Sequence, residues 1–184
     1  QHDRQLQAVG SYLTKQVKKE LARILEEDRE KYESFWNSFG KIIKYGTVDG
    51  YGKDSELLKD LILFRSARDD KYVTLAEYVK GMPEGQEKIY YVSSDSVAHA
   101  KSLPQAEPVF AKGYDVMVFD DEIDTFVTNI LREYEGKKFC NITSDDLGLE
   151  SEEDKKEAEK KDEEFKEVTD FCKETLGDAV AEGK

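Results

Sequence analysis

Three short apolar runs rich in β-forming residues constrain the fold of this chain more than any other feature. They are IYYV at residues 89–92, YDVMVF at residues 114–119 and FCNI at residues 139–142. Apolar residues at helical spacing lie between the runs, over residues 96–103 and 123–134. This alternation is typical of βαβ units, which form parallel sheets with helices on their faces. The sequence therefore predicts an α/β fold in which residues 89–92 form the central strand.

The first third of the chain predicts helices rather than strands. Apolar residues recur every three or four positions in three stretches, residues 6–25, 29–45 and 57–62. Asp28 is a suitable cap between the first two helices, and Gly40 is the only helix breaker inside the second. Because the connecting loops are short, the three helices are expected to pack on one another.

Composition changes again towards the end of the chain. Acidic and basic residues alternate over residues 145–167, which is typical of a solvated helix or a linker. An apolar helical face returns from Phe165 to Leu176. We therefore predict three parts. They are a three-helix segment at residues 1–64, a small three-layer αβα unit with a short, mainly parallel sheet at residues 65–143, and a charged connector with a truncated C-terminal helix at residues 144–184.

The chain is strongly acidic, with a formal net charge of −13. Nucleic acid and anionic membranes both attract basic surfaces, so neither is a predicted partner. No apolar run approaches the roughly 18 residues of a membrane span. Cys140 and Cys172 have neither metal-ligand spacing nor the pattern of a disulfide framework, which favours a cytoplasmic location. Because the chain begins with Gln1 rather than Met, we expect it to be part of a longer protein.

Four patterns that would indicate chemistry are incomplete. Residues 50–53, GYGK, lack the first glycine and the Ser or Thr of a P-loop. The acidic run at residues 120–124 is followed by Thr125, where a calcium loop requires glycine. His99 has no triad partners in sequence, and the SSDS turn at residues 93–96 lacks the glycine of a phosphate cradle and is suited to capping a helix. No catalytic, cofactor-binding or metal-binding residue is therefore predicted.

The helix predicted from residue 123 carries the candidate binding residues. Its apolar face comprises Ile123, Val127, Ile130, Leu131 and Tyr134. Phe126 lies at the edge of this face, and Thr125 and Asn129 lie beyond it. An aromatic residue at a rim beside small polar residues is suited to binding another chain. The alternative, in which Phe126 is a core residue packed on the sheet, remains open at this point.

Five longer motifs follow one another along the chain. They are DREKYESFWNSFGKIIKYG at residues 28–46, LLKDLILFRSA at 57–67, VTLAEYVKGMPEGQEKIYYVSSDS at 73–96, KGYDVMVFDDEIDTFVTNILREYEGKKF at 112–139, and LGDAV at 176–180, behind the charged run. In content and order they resemble the 90-kilodalton heat-shock chaperone family, whose bacterial members are called HtpG. The resemblance covers essentially the whole chain.

This resemblance implies a fragment of an ATP-dependent chaperone that assists the folding of client proteins. Residues 1–64 and 65–143 look like two parts of the family's middle domain, and residues 144–184 look like the connector and the start of its C-terminal domain. In this family the ATP and Mg²⁺ site and the arginine that reaches the nucleotide lie upstream, and the main dimer helices lie downstream. The resemblance therefore implies no catalytic residue and no cofactor within this chain, and a homodimer for the full-length parent.

The resemblance also implies partly unfolded client proteins as partners. The helix that bears Thr125, Phe126 and Asn129 is similar to one client-binding surface of the family, although some members have tryptophan at the position of Phe126. Two alternatives remain open on the residues alone. One is a stand-alone flavodoxin-like ligand-binding domain or enzyme, and the other is an acidic module that attracts basic partners.

Overall fold

A mixed sheet of six strands organises residues 2–149, the part of the chain that this computed structural model describes. Its strands are β1 (Leu63–Ser66), β2 (Tyr72–Thr74), β3 (Lys88–Ser93), β4 (Met117–Phe119), β5 (Glu133–Tyr134) and β6 (Lys137–Asn141). The helices are α1 (His2–Glu27), α2 (Arg29–Gly52), α3 (Ser55–Leu58), α4 (Leu75–Lys80), α5 (Val97–Ser102), α6 (Glu107–Ala111) and α7 (Glu122–Leu131). The charged run from residue 150 and the predicted C-terminal helix lie outside the described residues.

The strand order is β2–β1–β4–β3–β6–β5, so β3 lies in the interior of the sheet. It pairs in parallel with β4 on one side, where Tyr91 lies opposite Met117, and with β6 on the other, where Ile89 lies opposite Phe139. These are the three strands that the apolar runs predict. The α/β class, the parallel pairing and the central position of this strand are therefore confirmed.

The sequence does not predict the other three strands, all of which pair antiparallel. β1 pairs with both β2 and β4, and β5 pairs with β6. The helix expected over residues 57–62 is replaced by the single turn of α3, a 3₁₀ turn (Lys59–Leu61) and an extended Ile62. The missed strands have two to four residues, and alternation becomes recognisable only over about four to eight residues.

The helix expected to continue through Tyr134 ends at Leu131, which corrects the sequence prediction. Arg132 has a left-handed φ of 61°, and the chain then turns back as the β5–β6 hairpin. Tyr134 therefore lies in β5 rather than on the face of α7, and its hydroxyl donates to Asp60 Oδ1 at 2.8 Å. The glycine expected to end the helix, Gly136, lies in the turn of the hairpin instead.

α2 contributes large aromatic residues to the core. Tyr32 and Trp36 are buried, and the Tyr32 hydroxyl donates to the carbonyl oxygen of Leu61 at 2.6 Å. Gly40 lies one turn after Trp36, where a Cβ atom would come within 2.7 Å of the indole. The absence of a side chain at Gly40 therefore allows the indole to lie against its own helix. α2 also packs along α7, and this contact lies within one compact unit, Gln1–Asp146.

Candidate functional site

The three candidate residues lie on α7 in different surroundings. Phe126 has 56% of its surface exposed, which excludes the interpretation that it is a core residue. Asn129 is also exposed, and Thr125 is half-buried. Ile123 and Val127, which belong to the same helix, are buried in the core. The helix therefore holds Phe126 at the rim of its apolar face with most of the ring available for contact.

An apolar groove of about 850 Å³ lies between the end of α2 and α7. Ile42 and Tyr45 line it from α2, and Ile123, Phe126 and Ile130 line it from α7. Ile42 is 65% exposed and Tyr45 is 60% exposed, so the groove opens to solvent along both helices. Contiguous exposed apolar surface of this kind marks sites of interaction with other chains.

The turn at the end of α2 brings the two helices together. Gly50, Tyr51 and Gly52 have φ values of 57°, 60° and 80°, so three successive residues are left-handed. Tyr51 lines the groove and is fully exposed. A Cβ atom on Gly52 would overlap the side chain of Ile130, so only glycine permits this approach to α7. The GYGK segment is therefore a turn between helices, as expected, and not a P-loop.

A buried ion pair joins the same two helices beside the groove. Lys44 Nζ of α2 lies 2.6 Å from Asp124 Oδ1 of α7, and both residues are buried. The ammonium group also lies 5.8 Å from the centre of the Trp36 ring and 5.7 Å from that of Phe64. Burial raises the pKa of Asp124 to about 6, although Lys44 acts in the opposite direction.

Two of the acidic residues at the start of α7, Asp121 and Asp124, cap the helix. Asp121 accepts a hydrogen bond from the amide of Ile123, and Asp124 accepts one from the amide of Asp121, which completes a capping box. Lys41 pairs with Asp121 at 2.6 Å and lowers the pKa of that carboxyl group. The capping interpretation of this run is confirmed. Over the described residues, no cluster of three or more candidate metal ligands is found.

A second depression of about 580 Å³ adjoins the groove at Phe126, which lines both. We call it the polar depression because most of the residues around it are polar, although Phe119 and Phe126 also give it apolar surface. Residues 93–95 line it from the end of β3, while Asp120, Glu122 and Thr125 line it from the start of α7. The polar turn after β3 and the acidic run after β4 therefore meet at one edge of the sheet. Asn129 lines neither cavity.

The SSDS turn is accounted for by local hydrogen bonds. Ser96 Oγ accepts from the amide of His99 and caps α5, as predicted. Ser94 Oγ accepts from the amide of Ser96 at 3.4 Å. Asp95 Oδ1 lies 3.2 Å from Nδ1 of His99 on the exposed surface. The turn thus provides a helix cap and a carboxylate at the rim of the polar depression.

Cys140 lacks the surroundings of a catalytic nucleophile. It is buried, and burial raises the pKa of its thiol. Its Sγ donates to the carbonyl oxygen of Asp146 at 3.6 Å. A thiol with a raised pKa forms little thiolate, which is the reactive species. Cys172 lies outside the described residues.

Sequence reasoning missed the half of the groove that belongs to α2. Ile42 fits the apolar periodicity of that helix, which predicts a buried side chain, whereas the structure leaves it exposed. One signal could have distinguished Ile42 from the buried residues of α2. Apolar residues form a second stripe beside them, at every third position: Phe39, Ile42 and Tyr45. A helix whose apolar residues extend beyond one core-facing stripe has apolar surface left for a partner.

The described residues therefore combine a mixed α/β scaffold with an open apolar groove held between two packed helices. None of their helices is long and apolar enough to cross a membrane. The fold and the site together define a mixed α/β domain with an exposed apolar groove.

Comparison with known families identifies the family of this domain. The family model described as Hsp90 protein matches residues 1–184, the full length of the chain. The chain belongs to the Hsp90 family.

Curated relatives give the same result. The chaperone protein HtpG of Bacillus subtilis (strain 168) is 42% identical over 180 residues, which cover 98% of this chain and 29% of that protein. HtpG of Oceanobacillus iheyensis is 43% identical and that of Clostridium perfringens is 41% identical, with the same coverage. The chain therefore spans less than one third of the length of these relatives.

A solved structure locates the match within the family. The middle domain of a Plasmodium falciparum heat shock protein superposes with a TM-score of 0.71 at 27% identity. The superposition covers 77% of this chain and 60% of that one. The chain is thus an HtpG-type Hsp90 fragment that includes middle-domain structure, as the motifs predict.

Proposed function

We propose that this chain is the C-terminal part of the middle domain and the start of the C-terminal domain of an ATP-dependent molecular chaperone. Residues 1–64 are its three-helix part, residues 65–143 are its small αβα part, and residues 144–184 are the connector and the truncated start of the next domain. In the parent protein this scaffold connects the ATPase module to the dimerisation module. The coverage of the HtpG relatives supports this placement, because the match leaves most of each relative outside this chain.

We further propose that the groove and Phe126 bind partly unfolded client proteins. The observation that carries this proposal is the set of apolar side chains, Ile42, Tyr45 and Phe126, that stay more than half exposed on two helices joined by a buried ion pair. A rigid apolar groove of this size can accept several side chains of an extended or helical client segment. Thr125 and Asn129 flank Phe126 and supply polar contacts.

The ATPase activity belongs to the parent chaperone in this proposal. ATP and Mg²⁺ bind upstream of this chain, which contributes no catalytic residue, and the full-length protein is a cytoplasmic homodimer. Nucleic acid and membranes are not partners. The 184-residue chain incubated with ATP and Mg²⁺ should therefore neither bind ATP tightly nor hydrolyse it. ATP hydrolysis that persists after further purification of the chain would contradict this assignment.

Client binding can be mapped with an isotope-labelled chain and a partly unfolded client. We expect chemical shifts to change along α7 and the end of α2, and Phe126→Ala to weaken binding about tenfold, which is typical of an aromatic anchor. Tyr12→Ala is the matched control, because Tyr12 is equally exposed on α1, away from the groove. Shift changes that avoid α7, or equal affinities for Phe126→Ala and the unmodified chain, would reject the proposed client site.

A further inference from the structure

We propose that the surface around Phe126 selects client segments in which an apolar residue is adjoined by lysine or arginine. The apolar side chain enters the groove, and the cationic side chain lies in the polar depression on the other side of Phe126. This inference rests on the client-binding function proposed above and specifies the chemistry of the segment.

The geometry follows from the shared wall between the two cavities. Phe126 lines both the apolar groove and the polar depression, so a segment that crosses its ring passes from one into the other. The groove offers Ile42, Tyr45 and Ile130, whereas the depression offers serine, threonine and carboxylate groups beside the rings of Phe119 and Phe126. Neighbouring residues of one segment therefore meet opposite chemical surroundings.

The charges of the depression favour a cation. Asp95, Asp120, Asp121 and Glu122 line it, and over residues 2–149 no lysine or arginine belongs to its lining. The carboxylate of Asp121 is paired with Lys41 at the rim. The negative charges of the other three carboxylates have weaker cationic partners or none among the described residues.

Two of these carboxylates have weak partners. Asp120 lies 3.9 Å from Lys44, whose ammonium group is already 2.6 Å from the buried Asp124. Asp95 contacts the imidazole of His99, which is cationic only when protonated. Glu122 is exposed and has no ion pair among the residues that the structure describes. A lysine or arginine from a client would thus meet negative charge that the described residues do not neutralise.

The same charges disfavour a second copy of this chain as the occupant. The chain has a net charge of −13, so self-association across an acidic depression would bring like charges together. A basic, apolar segment of another protein meets both cavities favourably. Partly exposed ion pairs are worth up to about 1 kcal/mol each, which corresponds to a roughly two- to fivefold gain in affinity per cation.

The inference can be tested with three labelled peptides that share one apolar core of leucine and phenylalanine. Two residues beside the core are lysines in the first peptide, glutamines in the second and glutamates in the third. Fluorescence anisotropy with the 184-residue chain should give the tightest binding for the lysine peptide and the weakest for the glutamate peptide. The preference should shrink when salt is raised, because exposed charges are screened.

A double variant, Asp120→Asn with Glu122→Gln, localises the effect. We expect it to lose the preference for the lysine peptide while binding the glutamine peptide as before. Asp69→Asn with Glu84→Gln is the charge-matched control, since both residues are exposed and belong to other loops. All four substituted residues are on the surface, so both double variants are expected to fold.

The outcomes distinguish failure of the charge preference from failure of the client site. Equal affinity for the lysine and glutamine peptides, with binding still weakened by Phe126→Ala, would overturn the charge inference and leave the client site intact. Equal loss of preference in both double variants would also overturn it, because the effect would then arise from overall charge. Peptide binding that ignores Phe126→Ala would contradict the client site itself.

Discussion

The contact between α2 and α7 has two sides that differ in burial and in charge, although the same two helices form both. On one side Lys44 and Asp124 form a buried ion pair, and the Lys44 ammonium group lies near the rings of Trp36 and Phe64. On the other side Phe126 and its neighbours on α2 are exposed around a groove. Asp124 and Phe126 are only two positions apart, and about 200° of helical rotation separates their side chains. One short helix therefore supplies both a buried contact with α2 and, among the described residues, an exposed apolar surface.

The largest effect is expected from removing the carboxylate on the closed side. Asp124→Ala leaves the Lys44 ammonium group buried without its counter-ion, so the free energy of unfolding should fall by about 3–5 kcal/mol. Chemical denaturation of the variant and the unmodified chain measures this difference. Lys44→Met with Asp124→Leu is the control, and it should recover most of the loss because neither charge remains. A near-normal Asp124→Ala variant would show that the pair does not hold the helices together.

The second effect is a dependence of stability on pH. Burial raises the pKa of Asp124 to about 6, from about 4 for an unperturbed aspartate. Between these two pKa values the folded state binds the proton and the unfolded state does not, so this group favours folding below about pH 4 and loses that contribution as the pH rises through about 6. The change is about 2–3 kcal/mol for a shift of this size.

Comparison with Asp124→Asn isolates this group from the other titrating carboxylates. The stability of the unmodified chain relative to the variant should decrease from pH 4 to pH 6 and change little above pH 7. A relative stability that increases over the same range would mean that the ion pair lowers the pKa of Asp124 more than burial raises it.

The third effect concerns Gly52, in the turn at the end of α2 that approaches α7. Gly52→Ala places a Cβ atom against Ile130 at a left-handed φ, so it should destabilise the fold by roughly 1–3 kcal/mol and move α2 away from α7. Thermal unfolding gives the loss, and the affinity for a client reports the altered groove. Gly10→Ala is the control, because Gly10 lies in α1 with open space around it, and it should stabilise the helix by about 0.5–1 kcal/mol. Equal effects of the two substitutions would contradict the close approach at Gly52.

The smallest effect on stability is expected on the open side. Phe126→Ala should change the free energy of unfolding by less than about 0.5 kcal/mol, because most of the ring is already in contact with water. Phe119→Ala, which removes a buried ring that stacks on Tyr91 at 4.4 Å, should cost about 3–5 kcal/mol. A large loss of stability for Phe126→Ala would show that its effect on client binding is indirect.

The sequence predicted the elements whose signals are long or chemically specific. The three parallel strands, the acidic start of α7 and a cap within the SSDS turn were all predictable from apolar runs and from the residue types that precede helices. Which residue of that turn caps α5, Asp95 or Ser96, was left open by the sequence. Helical spacing placed Phe126 at the edge of the apolar face, and the structure was needed to decide between an exposed ring and a core residue. These features depend on local patterns, so a single sequence contains the information that defines them.

The features that escaped prediction depend on contacts between distant residues. Lys44 looks like a solvent-exposed lysine in the sequence, since its partner Asp124 belongs to another helix. Ile42 fits a buried periodicity, and its exposure results from how α7 is placed. The end of α7 at Leu131 has no glycine or proline to mark it, and the hairpin that follows is held by pairing with β6. The assignment of client contacts to Thr125 and Asn129 stays a prediction.

The buried ion pair also has a consequence for how this chain is made. Lys44 and Asp124 are separated by 80 positions. At a synthesis rate of roughly 5–20 residues per second, α2 exists for several seconds before the carboxylate that neutralises Lys44 has been joined to the chain. During that interval the ammonium group has to remain in water, so α2 cannot bury it against Trp36 and Phe64. α2 is therefore expected to complete its packing only after α7 has been synthesised.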